Sequence, residues 1–337
     1  MPQAFILYKS LLNLDMNIFN IHGETEFNQT CLDIFQLQYQ TIAVYQRFVD
    51  ALNVKPEQVK HYLQIPFLPI SFFKTHAIIE DEAFADVVFT SSGTTGTVNS
   101  KHFVQDVYIY EQSYRNAFAR FYGDIESTCV LALLPNYLER GGSSLIYMVE
   151  DLIKLSKNTN SGFFLNEHAQ LKETLVQLQQ SKTKTILIGV TYALLDFVEH
   201  FTINFPELVV METGGMKGRR KEMVREELHQ QLTQGFGVAK IHSEYGMTEL
   251  LSQAYSYGDG IFTCPPWMKI IARDPNDPLT LLDAGKSGGL NIIDLANVNS
   301  CSFIATQDLG KTYSDGSFEV LGRFDNTDIR GCNLMVV

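Results

Sequence analysis

The sequence predicts an α/β fold that ends in a mostly antiparallel β section. Two observations carry this. From Ala85 onward, short buried apolar runs alternate with segments of helical periodicity, as in units that pair strands in parallel. After about residue 255 the helical pattern stops, and Gly, Pro and Asp become frequent. The 337 residues exceed the usual single-domain size, and 45% hydrophobic content is ample for a core.

The elements follow in order. Phe27, Cys31, Phe35, Ile42, Tyr45, Phe48 and Val49 recur at helical spacing, which predicts one amphipathic helix over residues 26–52. Pro56 and Glu57 start a short second helix, and Leu63 to Phe73 is an apolar connection broken by prolines. Val130 to Leu134 is a buried strand ending at Pro135, followed by a helix from Ser144 to Ser156. Thr185 to Gly189 is a further buried strand, with a helix through Ala193 to Val198. Leu208 to Met211 is a strand and Lys221 to Leu232 a helix. In the last section Asn291 to Leu295 reads as a strand. Asp315-Gly316, between Lys311-Thr312-Tyr313 and Phe318-Glu319-Val320, is a hairpin signal.

Composition excludes several function classes. The net charge is −12 and there is no long Lys/Arg run, so nucleic acid is not an expected partner. The cluster Lys217-Gly218-Arg219-Arg220-Lys221 reads as the solvated start of a helix. No segment has the length of a membrane-spanning helix, and the N-terminus lacks the basic region of a secretory signal. The five cysteines are scattered without CxxC pairs, which argues against a disulfide framework or zinc site and fits a cytoplasmic location.

The most informative stretch is Thr90-Ser91-Ser92-Gly93-Thr94-Thr95-Gly96-Thr97, just after the apolar run Val87-Val88-Phe89. Glycines let backbone N–H groups converge on an anion, and the hydroxyls add donors. It is no Walker loop, because no Gly-Lys-Ser/Thr closes it. Taken alone it reads equally as a phosphate cradle or as a turn. Downstream come Ser243-Glu244-Tyr245-Gly246-Met247-Thr248-Glu249, Ala305-Thr306-Gln307-Asp308-Leu309-Gly310 and Gly322-Arg323-Phe324-Asp325. In this order, from about residue 85 to the C-terminus, the four segments resemble the core motifs of the adenylate-forming superfamily. Its members include acyl-CoA synthetases and peptide-synthetase adenylation domains. Leu133 to Ser144, Glu212 to Lys221 and Arg330 to Leu334 look like the acyl-protein synthetase (LuxE-like) branch of that superfamily.

The resemblance implies the large N-terminal domain of the adenylate-forming fold over residues 1–322, followed by a hinge-like tail over 323–337. It implies ATP-dependent conversion of a carboxylic acid, a fatty acid in this branch, to an acyl-adenylate with release of pyrophosphate. The acyl group then passes to a thiol: a cysteine of the protein itself, an acyl carrier or acyl-reductase partner, or coenzyme A. Two anions must meet in the first step, so charge must be neutralised and the reactants aligned. By resemblance, Ser91, Ser92, Gly93, Thr94, Thr95 and Gly96 hold the β- and γ-phosphates. Thr248 faces the α-phosphate, and Glu249 holds Mg²⁺, which favours one or two carboxylates beside phosphate oxygens. Tyr245 and Gly246 adjoin adenine, as do Gly214 and Gly215, which follow a strand and precede a helix. Asp308 accepts from the ribose hydroxyls, and Arg323 reaches the ribose or α-phosphate.

Plainer readings stand beside these. Tyr245 also reads as a half-buried tyrosine at a strand end, Asp308 as a turn aspartate, and Arg323 as an arginine paired to Asp325. Lys101 reads equally as a displaced phosphate-binding cation or a solvated turn lysine. His102 and His242 sit in no metal or triad pattern and read as structural.

Where complete family members carry a small C-terminal domain, this sequence stops a few residues after Gly322-Arg323-Phe324-Asp325, which reads either as absence of that domain or as truncation of the chain. It offers no match to the bridging lysine of that domain, since Arg330 is the only cation after Arg323. That departure points to slow adenylation, to substitution by a cation such as Lys217, or to a partner subunit. It also keeps open a second class, a nucleotide-binding interaction protein with the same fold. Cys332 reads in two ways: as the acyl acceptor that the branch carries near its C-terminus, or as a small apolar residue of a final strand.

Overall fold

A computed structural model describes residues 18–91, 98–135, 142–214 and 223–323. Among them the strands are β1 (Leu68–Pro69), β2 (Val87–Thr90), β3 (Lys101–Val104), β4 (Cys129–Leu133), β5 (Gly162–Phe164), β6 (Thr185–Val190), β7 (Val209–Thr213), β8 (His242–Tyr245), β9 (Ala254–Ser256), β10 (Ile261–Thr263), β11 (Met268–Arg273), β12 (Ser287–Asp294), β13 (Phe303–Thr312) and β14 (Phe318–Arg323). The chain forms two compact units: residues up to Glu80 together with those from Pro266, and Asp81–Pro265.

The central unit carries the α/β pattern. Its strands lie in the order β10-β9-β8-β7-β6-β4-β5. β5, β4, β6, β7 and β8 pair in parallel, and β9 and β10 are antiparallel additions. β4 and β6 are buried along their whole length, which is why they read as unbroken apolar runs. The order reverses beside β4: the chain steps to β5 on one side, then to β6, β7 and β8 on the other. Ligands of such sheets bind outside the carboxyl ends of the strands.

Helix Ser144–Leu155 packs on β4, and helix Thr191–His200 packs on β6 and β7. Thr191–His200 also packs closely on helix Arg225–Phe236. Phe197 and Phe236 stack at 5.4 Å, and a Cβ on Gly235 would lie 2.4 Å from Val198. β2 and β3 form a separate antiparallel hairpin.

The other unit is antiparallel: β11-β12-β13-β14 in order, with β1 adding in parallel to β13. The Asp315-Gly316 signal is borne out, with Gly316 at φ 85 between β13 and β14. The single helix expected over 26–52 is two, Glu24–Thr41 and Ala43–Ala51, divided where buried Ile42 takes an extended backbone. The β-branched pair Thr41-Ile42 weakens the helix at that point. Pro56–Gln58 is a 3₁₀ turn and not a longer helix. Phe35, Tyr45 and Phe303 form the aromatic core. Gln38, fully buried, is satisfied by the carbonyls of Asn297 and Val298 and by Ser302. Among the described residues no helix is long and apolar enough to cross a membrane.

Candidate active site

In the central unit the site is built at strand ends. β2 ends at Thr90, and Ser91 closes the base of the Ser/Thr/Gly loop. Its N–H donates to the Ser100 carbonyl at 3.1 Å, and its Oγ accepts from the Ser100 N–H at 2.9 Å. Ser92, Gly93, Thr94, Thr95 and Gly96 lie outside the described residues. The Thr90 N–H donates to the Gly142 carbonyl at 2.7 Å. Gly142 has φ 87, and a Cβ there would come within 2.9 Å of Thr90 Oγ1, so only glycine allows this approach. Ser143 then caps helix Ser144–Leu155 through its Oγ, which accepts from the Ile146 N–H. The loop base is therefore tied to the start of a helix, where N–H groups and the helix dipole favour an anion.

The Tyr-Gly-Met-Thr-Glu segment leaves β8. Tyr245 is its last residue, buried, with its ring edge-on to Phe262 at 5.9 Å. Glu249 is buried at 6% exposure. The Thr248 carbonyl accepts a 2.8 Å hydrogen bond from Nδ1 of His102, which is fully buried on β3. Because His102 lies opposite Phe89 in the β2–β3 hairpin, one imidazole links the loop-bearing hairpin to the Thr248-Glu249 segment. His102 is structural, as its sequence context suggests, yet its partner is a motif residue.

Beside this, β7 and β8 run in register with Glu212 opposite Ser243 and Thr213 opposite Glu244. Gly214 and Tyr245 thus belong to neighbouring strand ends. Gly214 has φ 65, and its carbonyl lies 3.0 Å from Thr191 Oγ1. Glu212 accepts from Ser243 Oγ at 2.7 Å and Thr191 Oγ1 at 3.0 Å, and His229 Nε2 is 3.8 Å away. Glu244 accepts from Thr213 Oγ1 at 2.5 Å. Burial pushes the Glu244 carboxyl up to about 7, against the Thr213 bond and with help from the charge of Glu212. A Cβ at Gly246 would lie 2.3 Å from Glu244 Oε1, so glycine there makes room for that carboxyl. Gly215 lies outside the described residues.

In the other unit, Asp308 is buried at 8% exposure, and Arg323 is its cross-strand neighbour, with Nε 3.3 Å from Oδ1. Asp308 is not a turn residue: β13 continues past it to Thr312. Arg323 pairs with Asp308; Asp325 and Cys332 lie outside the described residues.

Sequence reasoning assigned no role to Glu212, Glu244, Gly142 or Arg273. A carboxylate directly before Tyr-Gly, just after the apolar run Val238-Ala239-Lys240-Ile241, was the available signal for Glu244, since burying it unpaired is costly. Among the described residues no group of three or more His, Cys, Asp and Glu forms a metal cage. Glu249 is a buried carboxylate, and Mg²⁺ takes one or two carboxylates and fills its remaining positions with water and phosphate oxygens.

A family model described as acyl-protein synthetase, LuxE, matches residues 16–337. No curated protein matches the sequence. Among solved structures, ATP-bound MatB from Rhodopseudomonas palustris aligns at 18% identity and TM-score 0.53, over 70% of this chain and 47% of that one. The chain thus spans about half the length of MatB. A 2-hydroxyisobutyryl-CoA ligase in complex with 2-HIB-AMP and CoA aligns at 15% identity and TM-score 0.67, over 92% of this chain and 70% of that one. An open conformation of the same ligase gives 14% identity, TM-score 0.65, and 92% and 77% coverage. At these identities the likeness shows the fold, that of adenylate-forming enzymes.

Proposed function

We propose, from the premise that this chain belongs to the LuxE acyl-protein synthetase family, that it activates a carboxylic acid with ATP and passes the acyl group to a thiol. The observation that carries the reading is the His102–Thr248 bond. It binds the hairpin bearing the hydroxyl and glycine loop to the segment bearing Thr248 and Glu249. A ligand with phosphates needs both.

In the first step a carboxylate oxygen attacks the α-phosphorus of ATP, the bond to the β-phosphate oxygen breaks, and pyrophosphate leaves. The loop from Ser91 to Gly96, with the helix start at Ser143-Ser144, holds the β- and γ-phosphates. Thr248 orients the α-phosphate through its hydroxyl, and Asp308 fixes the ribose. Mg²⁺, when bound, supplies positive charge for the phosphates, and Glu249 is the side chain that would hold it. Tyr245, Gly214 and Gly215 adjoin adenine. In the second step a thiolate attacks the acyl carbon and AMP leaves. The acid is a fatty acid, as in the acyl-protein synthetase branch, and the first thiol is Cys332. An acyl carrier or reductase protein, or coenzyme A, takes the acyl group onward in the cytoplasm. Among the similar structures, MatB is bound to ATP, and the ligase is in complex with 2-HIB-AMP and CoA.

The test is to incubate the protein with Mg²⁺-ATP and a labelled fatty acid, then separate acyl-AMP from acyl-protein. Hydroxylamine-labile label on the protein, lost in Cys332→Ser, is the expected result. Acyl-AMP without labelled protein would reassign the acceptor to coenzyme A or a carrier. ATP binding with neither product would indicate a nucleotide-binding interaction protein.

A further inference from the structure

Register within the antiparallel unit isolates an unusual feature. Gly289 of β12 pairs with Leu309 of β13, and Asn291 pairs with Ala305. One residue of β12, Leu290, therefore faces three of β13: Thr306, Gln307 and Asp308. Such a bulge breaks the ladder and re-aims side chains, and bulges cluster beside functional sites. Here the bulge is the Thr-Gln-Asp motif itself.

Backbone groups released from a ladder need new partners, and Arg273 supplies them. It is the last residue of β11 and is buried at 5% exposure. Its Nη1 donates to the Leu290 carbonyl at 2.7 Å and to Asn291 Oδ1 at 2.8 Å. Its Nη2 donates to the Thr306 carbonyl at 2.5 Å. The Leu290 carbonyl also accepts from Thr306 Oγ1 at 2.8 Å, and Thr306 Oγ1 in turn accepts from the Asp308 N–H at 3.1 Å. The guanidinium lies over Gly289, its cross-strand partner, where a Cβ would be 2.8 Å from Cζ. Gly289 thus leaves a slot for Arg273. Burial lowers the Arg273 pKa to about 10, and the charge of Asp308 opposes that shift, so the two side chains interact.

We infer that Arg273 is a positioning residue for nucleotide binding: its guanidinium holds the Thr306–Asp308 bulge in shape and so aims the Asp308 carboxylate. The inference rests on the proposed use of Asp308 as the ribose acceptor. Lysine cannot replace this group, because only a planar fork reaches Leu290, Asn291 and Thr306 together.

The experiment is a double-mutant cycle on ATP affinity, read by titration calorimetry with ATP and with 2′-deoxy-ATP, together with thermal stability of each variant. Arg273→Lys is expected to weaken ATP roughly tenfold and to shrink the preference for ATP over 2′-deoxy-ATP. Asp308→Asn is expected to do the same, and the double variant should be no worse than Asp308→Asn alone. Additive losses, or an unchanged preference in Arg273→Lys, would overturn the inference. If Arg273→Lys does not fold, the cycle is run with Thr306→Val, which removes the hydroxyl linking Leu290 to Asp308, and the same outcomes decide. A wild-type protein that does not bind ATP would instead overturn the proposed function, so the two failures are distinguishable.

Discussion

Glu249 and Asp308 are carboxylates of similar burial, at 6% and 8% exposure, yet their settings are opposite. Glu249 follows the end of β8, where two carboxylates, Glu212 on β7 and Glu244 on β8, lie one register step apart and face opposite sides of the sheet. Asp308 sits in an antiparallel bulge, ion-paired with Arg323 across the strands and within the electrostatic reach of Arg273. The acidic region is satisfied by hydroxyls from Thr191, Thr213 and Ser243 and strains against burial of charge. The cationic region is satisfied by the Arg323–Asp308 ion pair and by the bonds of Arg273 to the Leu290 and Thr306 carbonyls and Asn291. The difference teaches where added positive charge matters: burial raises the Glu244 carboxyl and so favours its proton, whereas Asp308 already has Arg323 beside it.

The sharpest way to break this comparison is Glu249→Gln. It should lower ATP-dependent acid activation by about a hundredfold or more, as removal of one key electrostatic group does. Thermal stability without nucleotide should change little. Unchanged turnover would remove Glu249 from the metal role. Asp308→Ala should act differently, raising the KM for ATP roughly ten- to a hundredfold with a near-normal kcat, since it binds rather than reacts. A large loss of stability with normal KM would make Asp308 a structural member of the bulge.

Smaller effects sharpen the contrast. His102→Ala leaves the Thr248 carbonyl without its imidazole partner and should cost about 1–3 kcal/mol of stability in urea unfolding. It should also lower kcat, because Thr248 is no longer held. Glu244→Gln tests the acidic setting through pH. The folded carboxyl titrates near 7, above its ordinary value of 4.5, so the folded state holds a proton that the unfolded chain releases. Wild-type stability contributed by this group is therefore full below about 4.5 and is lost as pH rises through about 7. Glu244→Gln should remove that slope and be more stable than wild type at pH 8 by on the order of 1–3 kcal/mol. Equal slopes in the two proteins would show that Glu244 is ionised at no such cost.

Much of this was legible in the sequence because the relevant signals are local. Buried parallel strands announce themselves as apolar runs, as in Cys129–Leu133, and a hairpin as Asp315-Gly316. Motif residues such as Tyr245 and Gly214 came with their order along the chain. Their supports did not. His102 and Thr248 are 146 positions apart, and Arg273 and Thr306 are 33 apart. Nothing in either neighbourhood marks such a partner. The bulge at Thr306–Asp308 read as a turn because pairing register is a property of two strands. The break at Ile42 was masked by apolar spacing that continues through it.

The central claim, ATP-dependent activation of a carboxylic acid, is tested most directly by exchange of labelled pyrophosphate into ATP across a panel of acids of increasing chain length. The reaction needs no knowledge of the thiol acceptor. The account predicts exchange that depends on both acid and Mg²⁺ and is strongest for long apolar chains. It also predicts that Glu249→Gln reduces the exchange by about a hundredfold. Absence of acid-dependent exchange from a protein that binds ATP normally would contradict it.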